Sequence, residues 1–291
     1  MEPFEASGAT FGTERFPLWG EVATLMVTDL DRLRVARRAV DQVFADIDAA
    51  CGVHRGESDL ARVHAGAGRP VRVGTTFHAL LWTALHAAEV TGGLADPIAS
   101  GPHGAWRSIV IDEPQGTVTL PPGTTMDLWP MATAFAADRA AELAAGQAQC
   151  GVFVSIAKNV GVAGPVPATG WPARVTNGHY DVVVSHDVVL RATGGMATRN
   201  LAVPQRRAID GRDVPHVVDP RPGHHVRGPW RTVSVTAGSC VDAGTAGAAA
   251  LASGHDAVDW LRSVGLPARL VHADDWVQTV GNWPADPASP V

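Results

Sequence analysis

Pro215-His216-Val217-Val218-Asp219-Pro220-Arg221-Pro222-Gly223 carries the most information in this chain. Two β-branched residues between a His and an Asp-Pro predict a short buried strand with a polar group at each end. Pro220 and Gly223 force a turn, which places His216 and Asp219 where a strand runs out into a loop. Loops held by rigid strands are where chemistry concentrates. Asp-Pro makes a turn whatever the function, so the stretch takes its meaning from its neighbours.

Those neighbours are mostly strands. Short β-branched runs at 152–156, 180–184, 188–192, 232–236, 268–272 and 277–280 share the second half with 215–218. Two helices, expected over 242–253 and 255–264, interrupt them. The first half reads differently. Leu33, Val35, Val40, Val43, Phe44 and Ile47 recur at helical spacing and predict a helix over 30–50, with Asp29 or Asp31 as its N-cap. A second helix is expected over 75–90, stopped by Gly92-Gly93, and a third over 131–145, just after Pro130. A hairpin joins 108–112 to 117–120. Helices gathered early and strands late predict an α+β fold, a strand-rich body with flanking helices. No linker or repeat divides the chain, so 1–291 is expected to be one domain, with 1–17 and 281–291 loose.

Composition narrows the function classes. The chain has 291 residues, 46% of them hydrophobic and 18% charged, as in a folded globular protein. A net charge of −6 gives no electrostatic footprint for nucleic acid. Lys158 is the sole lysine, which with abundant Ala reads as the codon bias of a GC-rich bacterial genome. Cys51, Cys150 and Cys240 lie far apart and fit neither a zinc motif nor a disulfide framework, so buried thiols are expected. The acidic start Met1-Glu2-Pro3-Phe4-Glu5 has no apolar signal region, and no run is long enough to span a bilayer. A cytoplasmic protein without membrane contact is the expectation.

Several segments, in order, carry a family resemblance. Glu57-Ser58-Asp59-Leu60-Ala61-Arg62-Val63 is similar to a Ser-Glu-Leu-Ser-Arg-Leu stretch, and Gly93-Leu94-Ala95-Asp96-Pro97 to Gly-x-Phe-Asp-Pro. Met126-Asp127-Leu128, continuing to Ala140, is similar to a Leu-Asp-Leu-Gly-Gly-Ile-Ala-Lys-Gly helix. Ala197-Thr198 is similar to Ala-Thr-Ser-Gly, and 216–223 to His-Ile-Ile-Asp-Pro-Arg-Thr-Gly. Val233-Ser234-Val235 through Ala243 is similar to a last strand and a metal-binding helix. Over roughly 18–272 the chain thus resembles the FAD:protein FMN transferases, the ApbE-like flavin transferases.

The resemblance implies the flavin-transferase fold, FAD as a ligand, and a divalent cation, usually magnesium. It also implies transfer of FMN to a Thr or Ser of an acceptor protein. A cation would stabilise charge growing on the leaving phosphate. His216 corresponds to the candidate base for the acceptor hydroxyl. His54, Ser58, Asp96, Ala132, Thr133, Lys158, Thr198 and Asp219 fall at positions implied to bind the cofactor.

Departures from the pattern are as informative. The metal-site helix of the family carries an Asp and a Thr four residues apart, and alignment through Cys240 puts Gly244 and Ala248 there. Asp242 with Thr245 is the one pair that could rebuild the site, so magnesium stands in doubt. The family's Gly-Gly-Asp is Ala157-Lys158-Asn159, its helix lysine is Thr133, and Ala-Thr-Ser-Gly has become Ala197-Thr198-Arg199-Asn200. Trp19, Trp106 and Trp129 are candidates to stack on a planar ring. Three readings follow. The first is a diverged member that binds FAD or another planar ligand and has been reassigned to a different reaction, for example in secondary metabolism. The second is a working flavin transferase with rearranged ligands. The third is a non-catalytic scaffold.

Overall fold

A computed structural model describes residues 11–52, 56–102, 104–176, 185–201, 208–209, 212–213, 226 and 228–283. Its frame begins with a hairpin of β1 (Gly12–Leu18) and β2 (Glu21–Val27), joined by Trp19-Gly20 at φ 53° and 82°. Two left-handed residues in a two-residue loop match the twist of the flanking strands. Four helices follow: α1 (Leu33–Cys51), α2 (Asp59–Ala65), α3 (Thr75–Val90) and α4 (Trp129–Ala148). The chain then returns as β3 (Val152–Ile156) and β4 (Asn159–Ala163), later β5 (Gly194–Asn200) and β6 (Trp230–Ala237). Helices α5 (Cys240–Ser253) and α6 (Ala257–Val264) lead into β7 (Ala268–His272) and β8 (Val277–Val280).

These eight strands make one sheet, every neighbouring pair antiparallel, and their order in space is their order in the chain. Helices α4 and α5 lie against one face, and α1 packs outside α4. The close approach has a visible cause. A Cβ on Gly161 would overlap the Ala137 carbonyl of α4, and one on Gly195 the Cys240 backbone of α5. The other face is covered by a hairpin of Trp171–Thr176 with Ser185–Leu190. There Trp171, fully buried, stacks on Phe11 at 5.0 Å and meets Phe153 at 5.9 Å. The sheet is therefore covered on both sides, and β3 is buried throughout, which explains its unbroken apolar run.

Sequence expectations meet this frame unevenly. The helix expected over 75–90 is α3, and Gly92 and Gly93 follow it at φ 63° and 92°. The helices expected over 30–50, 131–145 and 242–253 are α1, α4 and α5, each with a shifted end. The strand expected over 188–192 ends at Leu190 and begins at Ser185. Two corrections concern the ends. Residues 12–17, expected to be loose, form the edge strand β1, because Phe16 packs inward against α1. Trp283, expected in a loose tail, is buried in the second core. His54, His216, Asp219 and the strands expected at 180–184 and 215–218 lie outside the described residues. All three cysteines are free and buried. Among the described residues no helix is long and apolar enough to cross a membrane.

Candidate functional site

Helix α5 is held at its start by two side chains. Ser239 caps it, its hydroxyl accepting from the Asp242 amide at 2.9 Å. Asp138, reaching across from α4, accepts from the amides of Cys240 at 2.7 Å and Val241 at 2.9 Å. Three of the amides a helix start leaves open are thus satisfied. Burial pushes the Asp138 carboxyl up to about 7, against the two amide bonds that favour its charged form. This clamp fixes α5 relative to α4, and a cleft opens beside the two.

The cleft has a cavity volume of ≈ 80 Å³. Pockets for drug-sized ligands run to about 300–1,000 Å³, so this one suits a group of phosphate size. Asp96 and Asp127 line it, as do Pro130 and Met131 at the start of α4. Arg199 enters from β5, and Gly244, Thr245 and Ala248 present one face of α5. Asp96 accepts from the Ile98 amide at 2.8 Å and Asp127 from the Trp129 amide at 3.0 Å, so each carboxylate also fixes its own turn.

Strand alternation decides what β5 contributes. Ala197 and Arg199 face α5, whereas Met196 belongs to the core of the other face. Thr198 therefore points away from the cleft, and its hydroxyl meets that of Ser234 at 2.8 Å on the neighbouring strand. Arg199 is 4% exposed. Its Nη1 donates to Asn159 Oδ1 at 2.9 Å and to the Thr198 carbonyl at 3.4 Å; Nη2 donates to the Pro130 carbonyl at 3.4 Å. Asn159 in turn donates to Thr133 Oγ1 at 3.1 Å. Burial pushes the Arg199 guanidinium down from its ordinary value. The Lys158 ammonium is also pushed down by burial, with Glu21 opposing and Arg199 adding to the shift. The two cations are thus within electrostatic reach of each other.

Of the positions named from sequence, the structure brings Asp96 and Thr245 into the cleft. Thr133 stands behind it through Asn159, and Lys158 sits in the β3–β4 turn. Ser58 caps α2, accepting from the Ala61 amide at 3.3 Å, and Ala132 is buried inside α4. Asp242 is exposed on α5 and is not part of the cleft wall, so the structure does not bring it together with Thr245 there. Trp19 and Trp129 pack edge to face at 4.8 Å, and Trp19 also meets Phe44 at 5.5 Å. Trp106 is buried in the main core.

Sequence reading missed what Arg199 does. Its signal was a pairing of residues: an arginine on β5 and a glycine at 244 on α5. A Cβ on Gly244 would overlap Arg199 Nη2, and one on Gly247 would stand 3.1 Å from Arg199 Cγ. A hard cation needs oxygen ligands. Gly244 and Ala248 carry none, and the guanidinium takes the space an acidic side chain at 244 would need. The residues at these two positions do not fit a magnesium ion. Among the described residues no group of three or more His, Cys, Asp or Glu could hold a metal.

Comparison with known proteins places this arrangement. A search of curated protein sequences gives no match. Solved structures do match. An ApbE protein from Thermotoga maritima superposes with a TM-score of 0.77 at 20% identity, covering 93% of this chain and 97% of the other. The apo form of the flavinyl transferase ApbE of Pseudomonas stutzeri gives 0.75 at 16%, over 93% and 94%. The flavin transferase ApbE of Vibrio cholerae gives 0.71 at 15%, over 93% and 97%. Identities this low establish the shared fold, the α+β flavin-transferase architecture, and leave the chemistry to the residues. The sequence pattern of the ApbE family itself matches residues 20–270, most of the chain. With that span matched, the chain belongs to the ApbE family.

Proposed function

We propose that this protein is a flavin-binding member of the ApbE family that takes FAD, or another dinucleotide with a planar ring, and does not run the magnesium-dependent transfer of FMN to an acceptor protein. One observation carries the reading. At the two α5 positions where the family resemblance implies an Asp and a Thr, this chain has Gly244 and Ala248, and Arg199 fills the space beside them. The phosphate-sized cleft supports an anion subsite, while the ring and sugar of a dinucleotide would extend beyond it. Asp127 and Asp96 shape the turns around that subsite, and the Asp138 clamp keeps α5 in place. His216 remains the candidate base for any hydroxyl that attacks a bound phosphate.

The test uses the full chain. It is incubated with FAD, magnesium and a Thr-containing acceptor peptide; the peptide is weighed by mass spectrometry, and the ligand released on heating is read by its absorption spectrum. The expected result is flavin in the supernatant of the dialysed, heated protein and no FMN on the peptide. Magnesium-dependent FMN on the peptide would instead favour a working transferase, for which the cleft-lining Thr245 hydroxyl is the supporting observation. A colourless supernatant would leave the scaffold reading.

A further inference from the structure

Arg199 is a buried charge whose hydrogen-bond partners are neutral: one amide oxygen and two backbone carbonyls. Among the described residues no carboxylate lies within ion-pair distance of it. A buried charge left without an opposite charge is costly, so a fold that keeps one usually has a use for it. Two further features share its cleft. The Thr245 hydroxyl is buried there and has no hydrogen-bond partner among the described residues. The lining positions Gly244 and Ala248 are small, and a larger group at Gly244 would overlap the arginine. Lys158 adds a second positive charge within electrostatic reach.

We propose that Arg199 is the fixed cation of this cleft and that its guanidinium, with the Thr245 hydroxyl, holds one phosphate group of the nucleotide ligand's diphosphate directly, with no divalent ion between them. This rests on the flavin-binding reading above and says how that ligand's anionic centre is recognised. A planar guanidinium offers paired donors that match phosphate oxygens, whereas a metal ion would need oxygen ligands that Gly244 and Ala248 lack. Asp96 and Asp127 also line the cleft, and each holds a backbone amide with one oxygen. Their charge makes the arginine the more necessary for an anion to enter.

The experiment titrates FAD into the full-length protein by flavin fluorescence, first with EDTA and then with millimolar magnesium. The two dissociation constants are expected to agree within about twofold, and Arg199→Met is expected to weaken binding by about 10- to 100-fold, with Arg199→Lys between. Tenfold or greater tightening of the wild type by magnesium would overturn the proposal, as would a folded Arg199→Met that binds FAD like the wild type. If Arg199→Met does not fold, the wild-type comparison decides alone. Inorganic pyrophosphate, titrated with EDTA by calorimetry, separates the two readings. Binding of pyrophosphate without FAD removes the flavin reading and keeps the role of Arg199; binding of neither removes both.

Discussion

The two faces of the central sheet solve opposite problems. On one, Trp171, Phe153 and Met196 fill the space under a hairpin with large side chains. On the other, α4 and α5 lie close to the strands through alanines and glycines, among them Ala137, Ala140, Ala243 and Gly247. The first face gains stability from bulk. The second gives up bulk so that backbones approach, and the room left beside α5 houses a charge and a cleft. The larger core lies on the helix side, with the cleft at its margin, so the two faces differ in the size of the side chains that cover the strands.

That division can be broken at three depths. Trp171→Ala removes the largest buried side chain of the bulky face and is expected to cost about 3–5 kcal/mol in urea unfolding. Ligand affinity in the folded fraction should stay as it was; a large loss of affinity would mean that the faces are not independent. Gly195→Ala forces a Cβ into the Cys240 backbone and is expected to cost about 1–3 kcal/mol. Here affinity should fall as well, since α5 carries one wall of the cleft. The smallest effect is a pH dependence. The folded pKa of Asp138, about 7, lies above its ordinary value of 3.8 in the unfolded chain, so the folded state binds the extra proton between those values. Stability from this group is full below the lower value and is lost as pH rises through the window. Between pH 6 and 8 the loss should be about 1.4 kcal/mol, absent in Asp138→Asn, as thermal melts at several pH values would detect.

Much of the frame was legible in the sequence. α3 was readable to the residue because apolar periodicity ends at a glycine pair. β3 was readable because burial on both sides leaves an unbroken apolar run. β4 and β5 were not, since Gly161 and Gly195 weaken the strand pattern where helices press closest. The site was legible as a set of departures and no further. Arg199 and Gly244 are far apart in the chain, and an arginine and a glycine look unrelated until β5 and α5 bring them together. Asp138 gave no signal, because a carboxylate inside an alanine-rich helix reads as part of a solvated face. Asp242 has the chemistry of a metal ligand, but it is exposed and is not among the residues that line the cleft.

Neighbouring strands in the sheet are also consecutive among the eight along the polypeptide, so no pairing requires a crossover. The connections that carry α4 and α5 are constrained by their packing on the strands, whereas a loop that packs on nothing can change length while the hydrogen-bonded ladder keeps its register. Revision is then easiest outside the helix contacts, one exchange at a time, on a ladder whose pairing such loops do not set.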